Sequence, residues 1–508
     1  MEPLQYAEYI QYVGTFQNIL MGISLMFSFT PMMMLFLGVL LGIIMGCIPG
    51  ISTSMAIALL LPFTFTMDPL LGMALLLGCY TGGNYSGCIP AVTIGTPGSP
   101  SSVPTLFDGY PMAKQGRGGQ ALGILLCGSV FGGIFGTIIL FTLAGPVARW
   151  AFYIWPSEYF ALCVLGLASV ATLGGKNWQK ALVAVLFGLL ISTVGMDPIL
   201  GRERFTFGVG MLFDGFQLMP VLIGLFALGE LFENIENLKG GKKLEKFKYT
   251  FPSLITYWKL KWSFLRASIV GTLVGILPGA GSAIASFLAY DVEKRVSKTP
   301  EQFGTGVSEG VAASAASDSS NTGGSLVPMF ALGIPGAPSV AVLMGALMIH
   351  GLNPGPELYR THPDLVYGMY ASVLFSNFWV LIIGLLGLKL FVRVTNVKKT
   401  ILYPIIFMFT MIGSFSIRNS LFDVGVCLAF GVIGWLLKRY GFPVAPVVLG
   451  VVLGRIMEMN LRQALMRDGL QSFTRPLTLI FLSLAVIAIV VPFVQDHRKA
   501  KKAAQQAS

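Results

Sequence analysis

Charge is scarce in this sequence. Of its 508 residues only 11% are Asp, Glu, Lys or Arg, against about 25% in a soluble domain, while 54% are hydrophobic. That balance excludes a water-soluble surface. Histidine is rarer still: His350, His362 and His497 stand too far apart to suggest a metal cluster, so no transition-metal site is expected and Na+ is the one metal ion in view. The six cysteines (Cys47, Cys79, Cys88, Cys127, Cys163, Cys427) form no CxxC pair, which argues against a disulfide framework or a zinc site. They read as small buried hydrophobes. No GxxxxGK[ST] phosphate loop occurs, so nothing points to ATP hydrolysis, and an enzyme is not expected. The opening 30 residues lack Lys and Arg, hence the basic n-region of a cleavable signal peptide, and the start is expected to be retained.

Apolar length is what the chain has instead. The runs Leu35 to Met45, Ala181 to Val194, Val373 to Leu390 and Leu477 to Val494 approach or reach the roughly 20 residues that cross a bilayer as a helix. Apolar runs between charged or Gly/Pro-rich breaks number about ten to fourteen, which predicts an all-α polytopic membrane protein. The formal net charge of +11 then reads as positive-inside bias rather than nucleic-acid affinity. Four basic clusters are expected in the cytoplasm: Lys239, Lys242, Lys243, Lys246 and Lys248; Arg393, Lys398 and Lys399; Lys438 and Arg439; and Arg498, Lys499, Lys501 and Lys502.

Two motifs recur in the same order. Gly42 to Gly50 (GIIMGCIPG) and Gly271 to Gly279 (GTLVGILPG) share GxxxGxxPG. Downstream, GTPGSPS at Gly95 to Ser101 matches GIPGAPS at Gly333 to Ser339, with Pro90 and Pro328 at the same distance before each. The division expected from this is a first half over 1–232, a basic cytoplasmic linker over 233–262, a second half over 263–497 and a basic cytoplasmic tail over 498–508. The approach to the first motif has no Lys or Arg, whereas Lys239 to Arg266 before the second is strongly basic. By the positive-inside rule the halves would enter the membrane from opposite sides, as inverted repeats do in secondary transporters.

Proline and glycine at this density break a helix, because each proline removes a backbone donor and clashes with the preceding turn. In hydrocarbon an unpaired amide costs several kcal/mol, so broken helices or re-entrant hairpins persist only inside protein or along a cavity. Half-helix N-termini in such breaks suit anionic groups, and freed carbonyls suit a cation. The candidate contacts for a carboxylate are therefore Asn84, Gly95, Thr96, Pro97, Gly98, Ser101 and Ser102 in the first half, with Gly333, Pro335, Gly336 and Ser339 in the second. For a coupled cation they are Gly50, Ser52 and Gly279 at the first motif, and Asp318, Ser319, Ser320, Asn321 and Thr322 within SAASDSSNTGGS. Asp318 is the ionisable member, either a cation ligand or proton acceptor or a helix-capping aspartate in a polar loop. Asp108 and Asp197 read as turn formers, Asp423 as a partner of Arg418 or a site residue, and Glu230 with Glu233 as a helix end entering the linker. A passive anion channel, or a scaffold subunit without transport, are the alternatives; a scaffold gains nothing from exposing backbone in lipid.

Several blocks together resemble a known family. GIIMGCIPGIS, YTGGNYSG, IGTPGSPSSVPTLFDGYPMAKQGRGGQALG, TVGMDPILGRERFTFG, GILPGAGS and SEGVAASAASDSSNTGGSLVPMFALGIPGAPSVAVLMGAL are similar to the large membrane subunit of tripartite tricarboxylate transporters, the TctA family. NSLFDVG and GFPVAPVVLGVVLGRIMEMNLRQAL resemble its C-terminal part. The resemblance implies a multi-pass bacterial inner-membrane carrier without a cofactor, driven by Na+ or H+, importing citrate-like, dicarboxylic or aromatic carboxylates. It also implies two partners, a small TctB-like membrane subunit and a periplasmic TctC-like binding protein that delivers the substrate. Gly82-Gly83-Asn84, with Cys47, Cys79 and Cys88, departs from the family's usual residues there and leaves the substrate open.

Overall fold

The computed structural model describes residues 16–173, 178–197, 199, 201–236, 252–395 and 399–507. Half of the predicted linker, including Lys239 to Lys248, and Lys398 lie outside the described residues, as do the side chains of the basic tail. The longer helices are α1 (Phe16–Met26), α2 (Phe29–Gly46), α3 (Thr53–Thr64), α4 (Pro69–Gly87), α5 (Val103–Met112), α6 (Gly118–Ala151), α7 (Pro156–Leu173), α8 (Trp178–Ser192) and α9 (Leu218–Glu236). After the linker come α10 (Lys261–Ile276), α11 (Gly281–Val296), α12 (Ser308–Leu332), α13 (Pro338–Ile349), α14 (Pro363–Val394), α15 (Lys399–Ser416), α16 (Leu421–Arg439), α17 (Val444–Asp468) and α18 (Pro476–Ala507). Among the described residues one small β-hairpin interrupts them, Gly195–Met196 paired antiparallel with Glu203–Arg204. The chain is an all-α polytopic membrane protein, as its composition predicts: among the described residues six helices are long and apolar enough to cross a bilayer, with shorter apolar ones beside them.

Local chemistry sets the breaks. α2 runs into Cys47-Ile-Pro49-Gly50, where Gly50 takes a positive φ of 95°. α3 then restarts with Ser52 Oγ accepting the Met55 amide at 3.1 Å. α4 is capped by Asp68, whose Oδ1 accepts the Leu70 amide at 3.0 Å, and Pro69 occupies the first turn, where a missing donor costs nothing. α12 carries Pro328 and stops at Gly333, left-handed at φ 66°.

Glycine faces let the central helices approach closely. A Cβ at Gly38 or Gly42 of α2 would strike the carbonyls of Leu75 and Cys79 on α4, so the two helices run parallel with their backbones in contact. The same packing recurs around α12. Gly271 of α10 meets Ser317, while Gly132 and Gly136 of α6 meet Ala316 and Ser320. α10, α12 and α6 therefore run parallel to one another. α4 and α12 run the opposite way: Tyr80 bonds Ser325, Asn84 bonds Thr322 and Cys88 faces Asp318. Two glycine-packed groups of opposite direction thus meet along the α4–α12 seam.

Both seam helices are buried almost end to end, Gly72 to Gly87 of α4 and Gly310 to Ala331 of α12. Large apolar side chains are instead exposed on the periphery, among them Leu386, Phe29 and Val486, where lipid would cover them. Interfacial aromatics carry cations: Lys261 sits 4.0 Å from the Trp258 ring centre, and Arg467 and Arg475 lie over Trp155 at 3.7 and 3.4 Å. The seam is rich in polar groups, while the rest of the interior and the exterior are apolar.

Candidate functional site

The two proline–glycine loops have one backbone design. Gly95 (φ 63°) and Gly333 (φ 66°) turn left-handed, a conformation that only glycine adopts without cost. The Thr96 amide donates to the Pro90 carbonyl at 3.3 Å, and the Ile334 amide to Pro328 at 3.2 Å. The Gly98 amide donates to Gly87 at 3.0 Å, and the Gly336 amide to Ser325 at 3.3 Å. A Cβ on Gly98 would lie 2.8 Å from the Gly46 carbonyl, and one on Gly336 2.5 Å from that of Gly275. Each proline–glycine loop is therefore seated on its own GxxxGxxPG motif, and the amides freed by the prolines are reused locally.

The loops deliver different side chains. Ser101 Oγ donates to Asp318 Oδ2 at 3.0 Å, and Cys88 Sγ lies 3.8 Å from the same oxygen. Ser339 Oγ shares a bond with Ser54 Oγ at 2.9 Å. Between these two points the Asn84 amide ties three helices together: its Nδ2 donates to Thr322 Oγ1 at 3.0 Å and its Oδ1 accepts from Thr53 Oγ1 at 2.9 Å. Tyr80 and Ser325 add a hydroxyl pair at 3.0 Å. Nearly all these groups are buried, Asp318 and Thr322 at 1% exposure.

Two acceptors in this layer make no hydrogen bond of good geometry, Asp318 Oδ1, which has the Ser282 hydroxyl as a neighbour, and, one turn on, Asn321 Oδ1. Asn321 spends its Nδ2 on the Gly271 carbonyl at 3.2 Å. An unsatisfied buried acceptor costs about 1–3 kcal/mol, more when charged, so a proton or a small cation arriving here would relieve a standing penalty. Asp318 lies in mid-helix, so the expectation of a capping aspartate in a polar loop is replaced by a buried carboxylate on a helix face.

Of the predicted residues, Ser101 is bonded to Asp318 and Asn84 to Thr322, one turn apart on α12, with Ser339 joined to Ser54 beside them. Gly95, Thr96, Pro97, Gly98, Gly333, Pro335 and Gly336 form the loop backbones. Ser102 serves its own loop, donating to the Ser99 carbonyl at 2.7 Å and accepting the Ser99 amide at 3.2 Å. Ser320 returns its bond to the Ser317 carbonyl at 3.2 Å, Ser319 is buried on the same helix, and Gly279 donates to the Gly336 carbonyl at 3.1 Å. Gly50 and Ser52 turn away from Asp318. Ser52 Oγ bonds Glu230 at 2.7 and 2.8 Å, and Asn234 Nδ2 donates to the Gly50 carbonyl at 2.6 Å. Glu230 and Glu233 do stand at the end of α9, where Lys438 pairs with both, at 3.4 and 2.9 Å.

The other carboxylates have fixed partners. Asp108 sits inside α5 rather than in a turn; its Oδ1 accepts the amides of Gly304, Gly306 and Val307, each at 2.9 Å, and its Oδ2 the Tyr290 hydroxyl at 2.8 Å. It pins the loop leading into α12. Asp197 closes a turn by accepting the Ile199 amide at 2.9 Å and also pairs with Arg462 at 2.8 Å. Asp423 accepts two bonds from Arg418, both at 3.1 Å. GVSEG at Gly306 to Gly310 has the GxSxG outline of a nucleophile elbow, but it leads from a loop into α12 with no strand before it. Among the described residues no group of His, Cys, Asp and Glu is placed to hold a transition metal.

Sequence reasoning missed Thr53, Ser54 and Cys88 as members of the layer, while Tyr80 and Ser325 stand at the ends of the polar stretches YTGGNYS and SAASDSSNTGGS without being singled out. Thr53 and Ser54 follow the flagged Ser52 directly, so their signal was present but read one and two residues early. Cys88 carried none, since a thiol beside a carboxylate cannot be told from a packing residue by spacing.

A model of the tripartite tricarboxylate transporter TctA family matches residues 32–449. A protein of Agrobacterium vitis, described as an uncharacterized 52.8 kDa protein in the TAR-I ttuC' 3' region, is 37% identical over 467 residues, which cover 91% of this chain and 93% of that relative. A second from the same organism, described as an uncharacterized protein in the TAR-II ttuC' 3' region, is 36% identical over 231 residues, 45% of this chain and 96% of its own length. No solved structure matches the chain.

Proposed function

This chain belongs to the tripartite tricarboxylate transporter TctA family, a family of transporter components, and from that premise we propose that it is the large subunit of a secondary active carboxylate importer. It sits in a bacterial inner membrane and receives its substrate from a periplasmic binding protein, with a small membrane subunit beside it. The substrate is a citrate-like tricarboxylate or another di- or aromatic carboxylate, and its entry is coupled to Na+ or H+.

One observation carries the reading. The two matched breaks meet at a buried polar layer between helices of opposite direction, with Ser101 on Asp318, Asn84 on Thr322 and two acceptors on α12 that make no hydrogen bond of good geometry. Broken helices at the interface of two inverted halves are the arrangement in which carriers hold substrate and ion at the midplane. The carboxylate would lie against the N-termini of α13 and α3, at Ser339 and Ser54, and the cation or proton at Asp318 with Asn321. The halves 1–232 and 263–497 are then inverted repeats. Asn84 and Thr322 bond each other across the seam, which favours a gated carrier over an open anion channel, whose lining would be hydrated. Uptake of labelled carboxylates into vesicles under imposed Na+ and proton gradients tests it. Saturable uptake abolished by collapsing both gradients is expected; uptake that follows the substrate gradient alone would favour the channel.

A further inference from the structure

A second place in the molecule has the chemistry of a carboxylate site. A cavity of about 430 Å³, within the range of about 300–1,000 Å³ typical of ligand pockets, opens where the end of α8, the start of α9 and the middle of α17 come together. Arg418 and Arg455 line it. Arg455 projects from α17, a helix of membrane-crossing length and composition, and is exposed, with no hydrogen bond or ion pair to another described residue. An arginine in such a segment is costly and marks a functional site unless paired. Arg418 is held from behind by the buried Asp423, whose two oxygens take its Nε and one Nη, leaving its other Nη 3.7 Å from the exposed Asp214. The cavity thus presents one unpaired guanidinium and one oriented guanidinium, the second loosely occupied by a carboxylate of the chain itself.

Its position relates it to the layer described above. Phe65, directly after α3, and Met348 and Ile349, at the end of α13, are part of its wall. The other ends of these two 12-residue helices meet at the Ser54–Ser339 bond. At 1.5 Å per residue the cavity lies about 18 Å from that bond along both helices. It is also at the opposite end of α16 from Lys438 and Arg439, hence on the side away from the expected cytoplasmic face.

We propose that this cavity is the external capture site for the carboxylate: Arg455 and the free Nη of Arg418 bind two carboxylate groups of one substrate, displacing Asp214, before it passes along α3 and α13 to the loops. Guanidinium and carboxylate match as planar, charge-assisted partners, and spacing two of them selects di- and tricarboxylates over monocarboxylates. The inference rests on the importer reading. Its test measures uptake of citrate and of succinate by cells expressing the full chain together with its small membrane subunit and binding protein.

Arg455→Gln is expected to raise KM about tenfold or more, with a much smaller change in maximal rate, and Arg455→Lys to recover part of it. Asp214→Asn should lower KM about twofold to threefold, because the competing internal carboxylate is gone. The prolines of the loops, replaced as Pro97→Ala and Pro335→Ala, should instead lower the maximal rate. An unchanged KM in Arg455→Gln overturns the capture site. So does loss of co-purifying phospholipid from that variant with KM intact, since the guanidinium would then serve a lipid phosphate. Normal rates in both proline variants with a raised KM in Arg455→Gln would remove the loop site and leave the cavity standing.

Discussion

The loops Gly95–Ser101 and Gly333–Ser339 share every backbone device and almost no side-chain chemistry. Both turn at a left-handed glycine, both return an amide to the carbonyl of a helix proline, and both rest a second glycine on a facing helix. Yet the first ends on a hydroxyl bonded to a carboxylate and the second on a hydroxyl bonded to another hydroxyl. Duplicated backbone with unequal side chains separates two jobs. The shared geometry makes two helix breaks, and the single carboxylate at Asp318 lies against only one of them.

Removing that charge is the largest expected break in the comparison. Asp318→Asn keeps the bond from Ser101 but leaves the layer neutral; gradient-driven uptake should fall by about tenfold or more and lose its Na+ or pH dependence, while the protein stays in the membrane. Unchanged ion dependence in vesicle assays would assign the coupling elsewhere. Next come the seated glycines. Gly98→Ala and Gly336→Ala each force a methyl into a facing carbonyl, and each should cost about 1–3 kcal/mol of stability, read as a drop in melting temperature of the purified protein. Equal losses would show that the loops are structural equals; a loss at one alone would break the equivalence.

Smaller is the effect of the link between them. Asn84→Ala and Thr322→Ala, separately and together, should show a coupling of about 1 kcal/mol in a double-mutant thermal-stability cycle, as expected for one buried hydrogen bond. Additive losses would mean that the helices meet without this bond holding them. Smallest is Ser54→Ala, which leaves Ser339 to rebond locally and should lower stability by no more than about 1 kcal/mol while changing KM for the carboxylate. If KM stays constant, Ser339 does not face the substrate.

Much of this was legible beforehand. The long apolar runs fall in helices, the paired motifs mark the two breaks, and Asn84, Ser101, Asp318 and Thr322 meet in one layer. Less legible was the direction in which hydroxyls turn. Ser52 and Thr53 are neighbours in sequence, yet one bonds Glu230 and the other Asn84, because successive residues at a helix start point to different helices. Asp108 looked like a turn residue since FDGYP carries turn chemistry, but the burial of α5 against the loop before α12 overrode that preference. The Arg418–Arg455 cavity was not foreseen at all: Arg418 lies in the turn between α15 and α16 and Arg455 on α17, 37 residues apart in sequence.

By itself the sequence determined that the chain lives in a bilayer as helices and that two Pro–Gly breaks interrupt them, because apolar runs near 20 residues have the length of a spanning helix and proline removes a helix donor. Only the tertiary structure decided which polar groups share a layer, which of them remain unsatisfied and where a cavity is left between helix ends. Those depend on side chains brought together from distant parts of the chain, and hydrogen bonds and voids have no period that a sequence can display.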